Sequence, residues 1–194
     1  MQMRETLDVL NRMVADRVIG RYAIGRAVAT YNYIEATVTD DLDILIAVDA
    51  FEERPRSSLV LLTPITQYLA ERGYTEWRNE GIVIGGWPVQ FLPVSSKLDA
   101  EALDHALDHV IRIGVSDSVE TRILRAEHLV AIALKVGRPK DHIRIAQFLE
   151  AGAVDAAYLC AILGRHGLRS RWQEFCDRAG ISNPCELHSA PDDR

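Results

Sequence analysis

Residues 22–48 read YAIGRAVATYNYIEATVTDDLDILIAV, and the order of chemistries in that stretch decides the fold. It predicts a strand, a tight turn at Gly25, a short helix, a loop, and a second strand that opens on acidic residues. Asp41 and Asp43 stand two residues apart, so in an extended chain both carboxylates project from the same side. Asp40 has the opposite parity and belongs to the loop. Two like charges held that close repel, and a fold accepts the arrangement most readily with a divalent cation such as Mg²⁺ between them. Hard cations take carboxylate oxygens and leave room for phosphate oxygens. Asp43 is followed at once by Ile44, Leu45, Ile46, Ala47 and Val48, which places an acid at the mouth of a buried strand, where desolvation demands compensation.

Outward from that stretch, the spacing of Leu7, Leu10, Val14 and Val18 predicts an amphipathic helix over 5–16. Residues 22–25 form the first strand and 26–33 a helix, whose first N–H groups would make an anion site at the Gly25 turn. Residues 42–48 are the central strand. Thr63-Pro64 reads as a helix start with its stop at Gly73. Three β runs follow at 74–78, 82–85 and 88–94, with Asn79-Glu80-Gly81 as a hairpin turn. Ser96 and Asp99 form a capping-box pattern, and Leu103, Leu107, Val110 and Ile111 predict a helix through residue 113. A strand is expected at 120–124. Four helices follow, centred on Leu129 to Val136, Ile145 to Leu149, Leu159 to Leu163 and Trp172 to Cys176, with Gly137, Gly152 and Gly167 at helix ends. The expected fold is α+β: a mixed sheet flanked by helices over 1–125, a helical subdomain over 126–185, and a frayed tail over 186–194.

With 194 residues, 48% hydrophobic and 26% charged, the chain has the makeup of an ordinary globular domain. No apolar run reaches membrane-spanning length, and the charged first residues do not suit a secretory signal, so no membrane partner and a cytoplasmic location are expected. The net charge of −6 disfavours avid non-specific nucleic-acid binding. Cys160, Cys176 and Cys185 are odd in number and lack C-x-x-C spacing, the pattern of buried thiols rather than of a metal site or disulfide set.

Gly25-Arg26, then Thr39-Asp40-Asp41-Leu42-Asp43 leading an apolar strand, resembles the signature of the DNA-polymerase-β-type nucleotidyltransferase superfamily. The later string Gly137-Arg138-Pro139-Lys140-Asp141 is similar to small bacterial nucleotidyltransferases related to the AbiEii-like abortive-infection toxins. The resemblance covers about residues 22–175. It implies an enzyme that binds NTP with Mg²⁺ through Asp41 and Asp43 and transfers NMP to RNA, a protein hydroxyl or a small molecule. It also implies a catalytically degenerate alternative, a nucleotide- or partner-binding module related to toxin–antitoxin pairs.

Phosphates would be held by the Gly25 turn with Arg26 beside it, although the family carries a second small residue where this chain has Arg26. Lys135 and Lys140 become phosphate contacts on the same resemblance. The local reading of Gly137–Asp141 is simpler: one helix ends, Pro139 starts the next, and Asp141 sits in its first turn. The family's acid on a later strand is matched here by Gln90, and Glu76 and Glu80 are possible stand-ins. His105 and His109 at i, i+4 read as a solvated helix face rather than zinc ligands. Arg165, His166, Arg169 and Arg171 read as a helix end and turn, and Trp77 and Trp87 as core or pocket wall.

Overall fold

A computed structural model describes residues 2–25, 41–47, 58–112 and 117–186. The helix expected over 26–33, the residues Arg26 and Asp40, and the tail from 187 lie outside the described residues. The chain divides into two compact units, the first running to Leu124 and the second beginning at Arg125.

The first unit is a seven-stranded mixed sheet with helices α1 (Gln2–Ala15), α2 (Ser58–Ala70) and α3 (Lys97–Asp104). Its strands are β1 (Tyr22–Ile24), β2 (Leu42–Ile46), β3 (Trp77–Arg78), β4 (Gly81–Ile84), β5 (Trp87–Pro93), β6 (Leu107–Arg112) and β7 (Ser118–Ile123), in the order β3-β4-β5-β2-β1-β7-β6. β2 runs parallel to β5 and antiparallel to β1, and β1 runs parallel to β7. The register gathers Ile24, Leu42, Ile44, Ile46, Ile82, Ile84, Val89 and Ile123 on one face, each at most 4% exposed. Enclosing an aliphatic side chain of this size contributes about 1.5–3 kcal/mol, so this face is the core of the unit. α1 lies over it: Leu7, Leu10 and Met13 are fully buried. Thr6 Oγ1 donates to the Ile84 carbonyl, and the Tyr22 hydroxyl bonds Asn11 and Thr121. α2 joins this layer through Tyr68, whose hydroxyl donates to Asp16 at 2.6 Å. α3 is tied to the opposite face, where the Arg122 guanidinium donates to the Leu103 and Ala106 carbonyls.

Three expectations are corrected. The helix expected to begin at Pro64 already runs from Ser58, with Pro64 inside it. One missing N–H in its second turn leaves the rest of the ladder intact, and the leucine-rich run before it favours helix. Second, α3 stops at Asp104, and Leu107, Val110 and Ile111 belong to strand β6 rather than to a helix reaching 113. The sequence LDHVIR alternates in exposure residue by residue, and its β-branched pair sits beside β7, so the period-2 signal and cross-strand pairing win over the i, i+4 pattern. His109 is therefore a strand residue, and the shared helix face with His105 does not exist. Third, Trp77 is 57% exposed on the two-residue strand β3, which is too short and too peripheral to bury it.

The hairpin turn falls where expected, with Asn79 at φ 53°. Gly81 is needed for a different reason. A Cβ there would stand 2.9 Å from the Val89 nitrogen and 3.0 Å from the Pro88 carbonyl carbon, so β4 and β5 approach too closely for any side chain.

The second unit is all helix: α4 (Ala126–Val136), α5 (Pro139–Glu150), α6 (Ala156–Arg165) and α7 (Arg169–Ala179). Phe148, Leu159, Ile162, Leu163 and Trp172 make its core. Trp172 stacks on Phe175 at 5.5 Å between centroids and donates its indole N–H to Asn183. The cysteine expectation is corrected here, since Cys160 on α6 is disulfide-bonded to Cys185, and only Cys176 is a free, buried thiol. Folding brings the two sulfurs together across 25 residues of sequence, a proximity that spacing alone does not reveal. No helix among the described residues is long and apolar enough to cross a membrane.

Replacing Gly81 by Ala must push β4 off β5. The expected result is a loss of about 1–3 kcal/mol, read as a lower urea midpoint with an unchanged m-value.

Candidate functional site

β2 is a central strand paired on both sides, and its second residue is the acid of the sequence pattern. Asp43 is 5% exposed. Its neighbour on parallel β5 is Gln90. On the other side the Gly25 N–H donates to the Asp43 carbonyl at 2.9 Å, which extends the β1–β2 ladder by one residue. Gly25, Asp43 and Gln90 thus form one lateral row across three strands, and the side chains of Asp43 and Gln90 share the face opposite the aliphatic core. Asp41, half-buried just before the strand, has the parity of Asp43. The register therefore sets Gly25 beside Asp43, and Asp41 stands immediately before the strand.

Gly25's N–H is engaged within the sheet, so any phosphate-binding N–H of this turn must come from the residues after it. Its φ lies outside the left-handed region, and a Cβ would meet Leu124 Cδ1 at 3.5 Å and the Asp43 carbonyl oxygen at 3.8 Å, both ordinary contacts. Nothing in the described packing demands glycine at this position.

The Gln90 amide donates from Nε2 to Glu80 Oε2 at 2.7 Å. The hairpin after β3 thus delivers a carboxylate to the residue beside Asp43. Sequence reading named Glu80 without being able to place it, because the contact depends on how the β3–β4 hairpin folds against β5. Glu76 instead pairs with Arg78 at 3.1 Å.

Asp41 and Asp43 offer the hard oxygen donors that Mg²⁺ takes, but among the described residues no group of three or more His, Cys, Asp or Glu is arranged to hold a metal ion. Two carboxylates suit a Mg²⁺ that arrives with phosphate and water oxygens and do not make an all-protein cage. An open cavity of about 650 Å³ lies elsewhere on the sheet, lined by Asn11, Tyr22, His109, Thr121 and Arg122 among others. Neither Gly25, Asp41, Asp43 nor Gln90 lines it. Its polar groups are engaged with one another: Tyr22 with Asn11 and Thr121, Arg122 with Asp108. Burial raises the pKa of Tyr22, against the opposing effects of Thr121 and Arg122, so its hydroxyl serves as a neutral structural bond.

Lys135 and Lys140 belong to the second unit, exposed in the last turn of α4 and the first turn of α5. The Gly137–Asp141 string, of which Lys140 is a member, is a helix joint held by the other residues. Gly137 caps α4 at φ 73°, a left-handed conformation that favours glycine. Arg138 is the N-cap of α5, and Asp141 is 2% exposed, accepting from the Arg138 backbone N–H at 3.1 Å and Nε at 2.8 Å. The basic cluster is tied to helix ends: Arg171 donates to the Lys135 carbonyl at the end of α4, and His166 caps the end of α6. Two buried groups escaped sequence reading. Glu127 accepts from the Asp155 N–H at 2.9 Å, and fully buried His128 meets the Tyr158 ring edge-on at 5.8 Å. Both interrupt the apolar run from Ala126 to Leu134, and that is the signal they leave in the sequence.

Burial would raise the pKa of Asp141, yet its bonds to Arg138 hold it below the ordinary value of 3.8. A depressed carboxylate stabilises the fold fully above its unfolded pKa, and that contribution disappears as pH falls through the lower folded value. Asp141→Asn is expected to lower stability at neutral pH by about 1–3 kcal/mol and to flatten the decline below about pH 4, measured by urea titration across pH. No protein-family model matches this chain, and comparison with curated proteins finds no match.

Proposed function

We propose that this protein is a nucleotidyltransferase that binds NTP with Mg²⁺ over the Gly25–Asp43–Gln90 row and transfers NMP to RNA, protein or a small molecule. The observation that carries the reading is the register: a buried aspartate on a doubly paired strand, a second aspartate of the same parity before it, and a glycine opposite. Asp41 and Asp43 would hold the Mg²⁺, which when bound neutralises charge on the phosphates. The sheet's contribution is to fix the Asp43 carboxylate without reorganisation. Gly25 keeps the neighbouring position free of a side chain. Arg26 is the proposed phosphate cation. Glu80, held by Gln90, is the proposed acceptor of the attacking hydroxyl's proton.

A second reading rests on Gln90 itself, because an amide on β5 cannot act as a base. In that reading the site binds nucleotide or a partner without transfer, as a degenerate module of a toxin–antitoxin type. The proposed compartment is the cytoplasm, where NTP and Mg²⁺ are supplied. Alkylation in denaturant, which opens the buried Cys176, should label Cys176 alone, and reduction beforehand should raise the labelled thiols to all three cysteines.

Calorimetric titration of each NTP with and without Mg²⁺ tests the reading. Wild type is expected to bind only with the metal, and Asp41→Asn combined with Asp43→Asn to weaken binding at least about tenfold while circular dichroism stays native. Gly25→Ala should fold normally and bind more weakly. Pyrophosphate release that Glu80→Gln abolishes without changing NTP affinity supports transfer; binding without release supports the second reading. If no NTP binds, the transferase reading falls, and with it the nucleotide-binding form of the second; a partner-binding module is what remains.

A further inference from the structure

The sheet ends on β6, which among the described residues pairs only with β7. Proteins commonly blunt such an edge with proline, a bulge or a very short strand, because its outer N–H and C=O groups template pairing with another chain. β6 has neither proline, bulge nor shortness, and the charges it carries, Asp108 and Arg112, are of opposite sign. Its sequence LDHVIR lacks proline and lysine, and its register runs unbroken from Leu107↔Ile123 to Arg112↔Ser118. In the middle of the strand Val110 is 51% exposed. On the same face, two residues to either side, stand Asp108, with a side chain 96% exposed, and exposed Arg112.

That arrangement is self-complementary. Antiparallel pairing about a two-fold axis through Val110 sets Val110 against Val110 of the second copy, and Asp108 against its Arg112, twice over. Asp108 already faces Arg122 across β7, with Nε to Oδ1 at 3.5 Å. In the pair its carboxylate would lie between two guanidiniums, Arg122 of its own chain and Arg112 of the copy. Any one-residue slip breaks both charge pairs and moves Val110 off the axis.

We propose that β6 is a homodimer interface, joining two sheets edge to edge about Val110. The occupant is a second copy of this chain, because the charge order Asp-x-Val-x-Arg matches its own reverse. Sedimentation equilibrium on the full chain tests this. Wild type is expected to dimerise. Arg112→Asp, which sets two aspartates against each other at both ends, is expected to raise the dissociation constant at least about tenfold, and Asp108→Lys to do the same. Arg112 is exposed, so the Arg112→Asp monomer should keep its circular dichroism and melting profile, whereas Asp108→Lys, which also sets a cation opposite Arg122, should keep its circular dichroism and melt somewhat lower. When the two variants are mixed, each Asp again meets a cation, and a one-to-one heterodimer should form. A monomeric wild type up to about 100 μM, weaker than which such a contact has little meaning, overturns the proposal. So does a dimer that survives Arg112→Asp, or a mixture that stays monomeric.

Discussion

The pairing of β2 with β1 on one side and β5 on the other is the constraint on which the first unit depends. Five residues, Leu42–Ile46, are held in the middle of a seven-stranded sheet with every position buried. Three of them point into the aliphatic layer under α1. A strand so enclosed cannot shift by one residue without sending Ile44 to the acidic face and Asp43 into the core. The hydrophobic register therefore positions the carboxylate. Stability and candidate chemistry are written in alternate letters of one pentapeptide.

The second unit depends on a different device. Helices α4 and α5 meet at a joint of five residues, where Gly137 closes one helix and the Arg138–Asp141 pair opens the next. The pair encloses a carboxylate almost completely, and the Arg138 backbone and side chain supply its hydrogen bonds. Polar groups in this unit are paired locally: Glu127 with the Asp155 backbone, Trp172 with Asn183, Arg171 with the end of α4.

Much of this was legible in the sequence. The alternation around Leu42–Ile46, the Ser96–Asp99 cap, the hairpin at Asn79 and the glycines after the helices each carry a local physical signal, and local signals survive without the fold. Apart from the start of α2, where the proline signal misled, the errors fall where a tertiary partner decides. LDHVIR fits a helical stripe until β7 lies beside it. Cys160 and Cys185 read as separate thiols until α6 and the chain after α7 converge. The candidate site divides the same way. Asp41 and Asp43 announce themselves by spacing, whereas Glu80 acquires meaning only from the Gln90 amide, ten residues away in the chain and one strand over in space.

The disulfide has a topological consequence for the end of the chain. With Cys160 inside α6 and Cys185 beyond α7, the intervening 25-residue span is a closed covalent ring that contains the whole of α7. In the chain-entropy view, closing a ring of that size removes freedom from the unfolded chain worth about 3.5 kcal/mol. The last helix is then not a free terminus that frays by itself. A protease that cuts within the ring, for instance at the turn near Gly167, opens it without releasing any fragment, so α7 departs only when a reductant follows the protease.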